Sequence, residues 1–172
     1  NSNCEFVLLD YRGAAVATDN CLGSGSLILN QSPVAGTTVS SNQTITITVT
    51  GGIPATPVSC QFNAAFIDTI KPNVICPTPS PLTLNGSCQV TLPDYTSLLA
   101  WTDNCTLSAS NMTFSQVPAG GGSINVNTTI VLTATDASGN AKSCSFTQTV
   151  IDNTAPVLTC PANQTLYLNN SC

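Results

Sequence analysis

The chain has 172 residues and a net charge of −5, with Arg12, Lys71 and Lys142 as its only basic side chains and no histidine. Three scattered cations cannot supply the phosphate neutralisation that nucleic-acid binding needs, and the commonest general base is missing, so neither a nucleic-acid partner nor an enzyme is expected. Hydrophobic residues at 42% are enough for a core, whereas charged residues at 6% fall far below the roughly 25% usual in globular domains.

The polarity comes instead from Thr, Ser and Asn. Thr and Val favour strands, and Asn, Gly, Ser and Pro favour turns, which predicts an all-β protein. In chain order, residues 74–76 form a short apolar strand closed by Pro77, and Pro79 and Pro81 mark an edge where missing donors are tolerated. Residues 82–84 alternate, Asn85-Gly86 signals a tight turn, and residues 88–92 alternate again. A strand over 97–102 ends at an Asp103-Asn104 turn, another covers 111–116, and 119–122 is a glycine-rich turn. Residues 128–135 are a strong β run, 136–140 a hairpin turn, and 143–151 a final alternating strand. About seven short strands with turn signals between them are the expectation for an immunoglobulin-like sandwich. No apolar run reaches the length of a membrane helix, and no signal-peptide pattern opens the chain.

The nine cysteines, at 4, 21, 60, 76, 88, 105, 144, 160 and 172, are separated by 17, 39, 16 and 12 residues, twice over. This is a period of 84 residues, and periods of this length indicate tandem arrays. Thr18-Asp19-Asn20-Cys21 recurs as Thr102-Asp103-Asn104-Cys105, and Ile67-Asp68 as Ile151-Asp152. Between residues 33 and 50 the offset is 85, because one residue is gained in a loop. The units expected are 1–67, lacking its first strand; 68–151, complete; and 152–172, the opening strand of a third, all excerpted from a longer array.

An opening Asp-x-x-x-Pro-x-x-x-Cys-Pro, a central Thr-Asp-Asn-Cys, and a closing segment from Thr133 through Asp136, Gly139-Asn140 and Cys144 to Phe146 resemble the hyalin repeat, or HYR domain. The first unit departs from it, with Gly51-Gly52-Ile53-Pro54 replacing the Asp-x-x-Gly-Asn turn. The resemblance implies an immunoglobulin-related fold and a role in cell adhesion or extracellular matrix. The four-cysteine form is similar to repeats of giant surface adhesins of Bacteroidota, commonly exported by type IX secretion and in some cases serving gliding motility.

Nine cysteines without zinc-type spacing imply disulfides in an oxidising compartment, extracellular and at the cell surface. The pairs expected are Cys76–Cys88 and Cys105–Cys144, with Cys21–Cys60 and Cys160–Cys172 by repetition and Cys4 paired outside the chain. Spacing alone leaves other connectivities open. Asp136, Asn140 and Asp152 are candidate calcium ligands that would stiffen a junction, against the alternative that Asp and Asn cap turns. Sequons fall at Asn30, Asn42, Asn85, Asn104, Asn111, Asn127, Asn163 and Asn169, and Asp68-Thr69-Ile70 resembles an O-glycosylation motif with Thr69 as acceptor. Trp101 is expected in local core packing rather than as a sugar platform. No catalytic residue and no required cofactor is expected. The function expected is a structural segment of a surface filament or adhesin stalk, touching neighbouring repeats and presenting a distal tip to glycans or proteins. A glycan- or protein-binding module and a fibre built by strand complementation, end to end or laterally, are the alternatives.

Overall fold

In a computed structural model of the chain, residues 4–20, 27–51 and 56–166 are described. Among them are fourteen strands and no α-helix. The first half carries β1 (Phe6–Val7), β2 (Ile28–Ser32), β3 (Thr38–Val39), β4 (Gln43–Thr50) and β5 (Val58–Ala64). The second carries β6 (Asn73–Ile75), β7 (Leu82–Thr83), β8 (Val90–Thr91), β9 (Ala100–Thr102), β10 (Thr113–Val117), β11 (Ser123–Ile124), β12 (Thr128–Thr135), β13 (Ala141–Gln148) and β14 (Val150–Ile151).

The two halves share a plan. In each, a two-stranded pair (β1–β3, β8–β11) accompanies a three-stranded antiparallel sheet (β2–β4–β5, β10–β12–β13). The central strands, Gln-Thr-Ile-Thr-Ile-Thr-Val-Thr and Thr-Thr-Ile-Val-Leu-Thr-Ala-Thr, are β-branched and alternating, which suits a pleated surface with one buried face. Ile45, Ile130, Leu132 and Ala134 are fully buried on that face. The second half adds an antiparallel β6–β9 pair and a parallel β7–β14 pair.

The cores differ. In the second half, Leu92, Tyr95, Leu99, Met112, Ile130, Leu132 and Ala134 form one buried cluster, with Val74, Cys76 and Trp101 packed against it. Trp101 lies 6.0 Å from the Phe114 ring, so it serves packing. In the first half the buried set is Leu8, Ile45 and Ile47. Chain-order logic explains the contrast. β6 supplies Val74 to the larger core, which the residue directly after β6, Cys76, also joins, and no described strand takes that place in the smaller one.

Buried amides hold the sheets to their flanking loops. The Gln116 side chain accepts from the Tyr95 N–H at 2.7 Å and donates to the carbonyls of Pro93 (3.0 Å) and Pro118 (3.1 Å). Gln31 does the same for Tyr11, Leu9 and Pro33. Gln148, wholly buried, accepts from the Tyr95 hydroxyl at 2.6 Å and donates to the Ser80 carbonyl. Backbone groups that the irregular connections would otherwise leave unpaired are thereby satisfied. Burial pushes the Tyr95 phenol above its usual pKa.

Several expectations need correction. Residues 82–84 and 88–92 do not pair with each other: β7 pairs in parallel with β14 and β8 antiparallel with β11, two residues on each side. Residues 96–98 form a 3₁₀ turn and only 100–102 extend as a strand. The disulfides are Cys76–Cys144, with Cα atoms 5.7 Å apart, and Cys4–Cys105, with Cα atoms 4.8 Å apart. Cys76–Cys88 and Cys105–Cys144 are therefore not formed. Cys76 directly follows β6, which packs beside β13, the strand that carries Cys144. Cys88 sits exposed in a turn organised by Asn85, whose side-chain oxygen accepts from the Ser87 and Gln89 N–H groups. Cys4 pairs within the chain rather than outside it. Cys60 and Cys160 are free and exposed; their expected partners, Cys21 and Cys172, lie outside the described residues.

Candidate metal centre

Asp68, Asp103 and Asp136 come together where the two halves meet, each offering an oxygen within 4.8 Å of the others. Each is delivered by a local turn. Asp68 follows the last strand of the first half, and its Oδ1 accepts from the Ile70 N–H at 3.0 Å and the Asn104 amide at 3.3 Å. Asp103 closes β9, and its Oδ2 accepts from the N–H groups of Cys105 (3.0 Å) and Thr106 (2.6 Å). Asp136 opens the β12–β13 turn, where its Oδ1 accepts from Ser138 (2.9 Å) and Asn140 (2.8 Å). Short polar side chains commonly bond their own backbone two residues on. Here all three do so with one oxygen, and the turns are fixed by it.

The turns leave Asp68 Oδ2 and Asp103 Oδ1 unengaged, while Asp136 Oδ2 accepts from the Asn140 amide. Asp68 is 7% exposed and Asp136 5%, and Asp68 Oδ2 and Asp103 Oδ1 are buried without a hydrogen-bond partner. No ion pair to Lys or Arg reaches the three carboxylates among the described residues; the Arg12–Asp10 pair lies elsewhere. Two unit charges this far apart repel by about 3 to 4 kcal/mol at an effective dielectric of 20. A bound cation would remove that cost. Calcium holds carboxylate oxygens at about 2.4 Å, so ligands on opposite sides of one ion lie about 4.8 Å apart. The donors are all hard oxygens, which suits calcium and not zinc.

The expected set of Asp136, Asn140 and Asp152 is only partly assembled. Asp136 belongs to the cluster. Asn140 supports it as a donor, from its amide to Asp136 Oδ2 at 2.9 Å and to the Asp68 carbonyl at 3.0 Å. Asp152 is exposed, and its Oδ1 accepts from the Thr154 N–H. It sits one period after Asp68, which takes the place in the cluster that Asp152 was expected to fill. The recurrence of Ile-Asp and Thr-Asp-Asn-Cys was the signal that could have identified Asp68 and Asp103.

Of the sequons, Asn30, Asn42, Asn85, Asn111, Asn127 and Asn163 are exposed, as is Thr69. Asn104 is half-buried with its amide against Asp68 and Cys105 Sγ, a position that does not suit a glycan. Asn169 lies outside the described residues. No described helix is long and apolar enough to cross a membrane. The disulfides are compatible with an extracellular setting.

No curated protein sequence matches the chain. One family does match, over residues 13–51, and it is the PASTA domain. That segment carries β2, β3 and β4 and is well under half of the chain. The match replaces the resemblance to the hyalin repeat: the cysteine spacing and turn motifs that suggested that family find no counterpart in the family comparison, and the chain is similar to a PASTA domain over residues 13–51 instead.

Proposed function

We propose that the chain is a non-catalytic structural segment of an extracellular filament or adhesin stalk. In this reading, immunoglobulin-like sandwich units of about 84 residues follow one another, locked by disulfides and stiffened by calcium at the junction. The observation that carries it is the Cys4–Cys105 bond, which ties residues 101 positions apart across the 67/68 junction. Asp103 and Asn104, immediately before Cys105, meet Asp68 at the same place. A covalent tie and a charge cluster at one junction restrict its bending, which is what a stalk needs.

Calorimetric calcium titration of the oxidised chain tests the metal, with melting measured in calcium and in chelator. Calcium at a hundredfold over its Kd should stabilise by about 2.7 kcal/mol. Asp103→Asn should abolish that gain and, because it relieves repulsion, should raise the melting temperature in chelator. Absence of binding heat, together with identical melting in calcium and chelator, would remove calcium from the reading.

A further inference from the structure

We infer that the calcium site is completed from the first half of the chain: Glu5, delivered by the Cys4–Cys105 bond, supplies a fourth carboxylate, so that the ion bridges residues 1–67 to residues 68–151. The inference deepens the calcium reading above and rests on it.

Asp68, Asp103 and Asp136 all belong to the second half. An ion held by these three alone would stiffen that half and leave the junction free to bend. Three carboxylates also fall short of the six to eight oxygens that calcium takes. The pull toward a cation is carried by Asp68, which is 7% exposed and whose Oδ2 is buried without a hydrogen-bond partner.

Of the first half's three acidic residues, all described, Glu5 is the one placed to add to the cluster. Asp10 is committed to Arg12, with Nη2 and Oδ2 2.7 Å apart. Asp19 lines a different cleft, with Ala15 and Cys60. Glu5, the chain's only glutamate, is half-buried and lines a cleft of about 260 Å³ together with Asp68 and Asn104.

The disulfide accounts for that placement. Cys4 and Cys105 have Cα atoms 4.8 Å apart, and one further residue adds about 3.8 Å, so the Glu5 Cα lies within about 8.6 Å of the Cys105 Cα. The Cys105 N–H donates to Asp103 Oδ2 at 3.0 Å, and the Asn104 amide donates to Asp68 Oδ1 at 3.3 Å while lying 3.0 Å from Cys105 Sγ. Sulfur bridge and carboxylates therefore share one turn, 103–106. Thr106, 3% exposed, ties this turn to the third carboxylate, because its hydroxyl accepts from the Ala137 N–H, next to Asp136, at 3.2 Å. The bond thus holds Glu5 beside the cluster at high effective concentration. Linkage is reciprocal: if calcium affinity depends on the bond, calcium favours the bond by the same factor. One period on, the residue after Cys88 is Gln89, so the fourth carboxylate belongs to this junction and not to the repeat as such.

The test titrates the oxidised 172-residue chain with calcium chloride in a calorimeter. Glu5→Gln, which installs the side chain found at Gln89, should weaken binding about tenfold, since ligand charge sets calcium affinity. It should not lower the melting temperature in chelator, because it removes one of four clustered negative charges. Cys4→Ser/Cys105→Ser, with Cys76–Cys144 intact, should weaken binding to the same extent, and the triple variant no further, since either change takes away the same ligand. In glutathione redox buffer, two glutathione thiols reduce the Cys4–Cys105 bond to two cysteine thiols and leave as one glutathione disulfide. Calcium should shift that equilibrium about tenfold toward the bond in the wild type and not in Glu5→Gln, read by disulfide mapping with mass spectrometry. Unchanged affinity in Glu5→Gln, a further loss in the triple variant, or a thiol–disulfide equilibrium indifferent to calcium overturns the inference and leaves the three-aspartate site standing. No binding heat in the wild type, with equal melting in calcium and chelator, removes that site as well.

Discussion

Pulling the chain from its ends should show how the disulfides carry load. With Cys4 bonded to Cys105, tension passes through residues 1–4 and crosses the sulfur bridge to Cys105. From Cys105 the taut path runs back to Cys76, across the second bridge to Cys144 and on to residue 172, because that way is shorter than following the chain from Cys105 to Cys144. At about 3.5 Å per residue, the oxidised chain should extend to about 220 Å, and the fully reduced chain to about 600 Å. The first half, inside the closed loop, should bear no tension at all. Single-molecule force spectroscopy between terminal handles, with and without reductant, measures both lengths. Cys105→Ser should lengthen the oxidised chain to the next limit, set by Cys76–Cys144: residues 1–76 and 144–172 remain loaded, about 370 Å. An oxidised contour near 600 Å, or one unchanged by Cys105→Ser, would refute this load path and with it the locked junction.

Four further outcomes follow from the same contacts. Gln116→Ala removes three hydrogen bonds from a buried amide to backbone groups and should cost about 3 kcal/mol in urea unfolding, with the slope unchanged. Cys76→Ser/Cys144→Ser opens a loop closed over 68 positions and should lower stability by about 4 kcal/mol by the chain-entropy estimate, whereas Cys76–Cys88 would be worth nearer 3. Gly120→Ala would bring a Cβ to 2.9 Å from the Asp94 backbone, so melting should drop where alanine at the open Gly86 should leave it unchanged. The Arg12 side chain, by hydrogen bonding first and charge second, holds the Asp10 carboxyl at about 2. Its folded pKa is depressed, so this contact is intact above the ordinary value of 3.8 and is lost as pH falls toward 2. A carboxyl NMR titration of the wild type and of Arg12→Ala, which should return Asp10 toward 3.8, checks it.

The strands of the second half were legible because their signals are local. β12 and the 136–140 turn fall where alternation and turn residues put them, and the repeat pointed to the same plan in the first half. The 82–92 region misled because Asn85-Gly86 marks a turn without saying which strands its flanks will join. The cysteine period was also plain, but a period constrains positions and not partners. The expected pairs joined cysteines near in sequence, whereas the bonds formed between chain segments that packing brings side by side, over 68 and 101 residues. The carboxylate cluster shows the same division. Each Asp was visible in its own turn motif, but no local motif places Asp68 beside Asp103 and Asp136. Composition and periodicity, which act along the chain, determined an all-β protein rich in cysteine and poor in charge. Which sulfurs met and which charges converged were decided in space, because those contacts depend on how separate strands stack and not on the residues next to them.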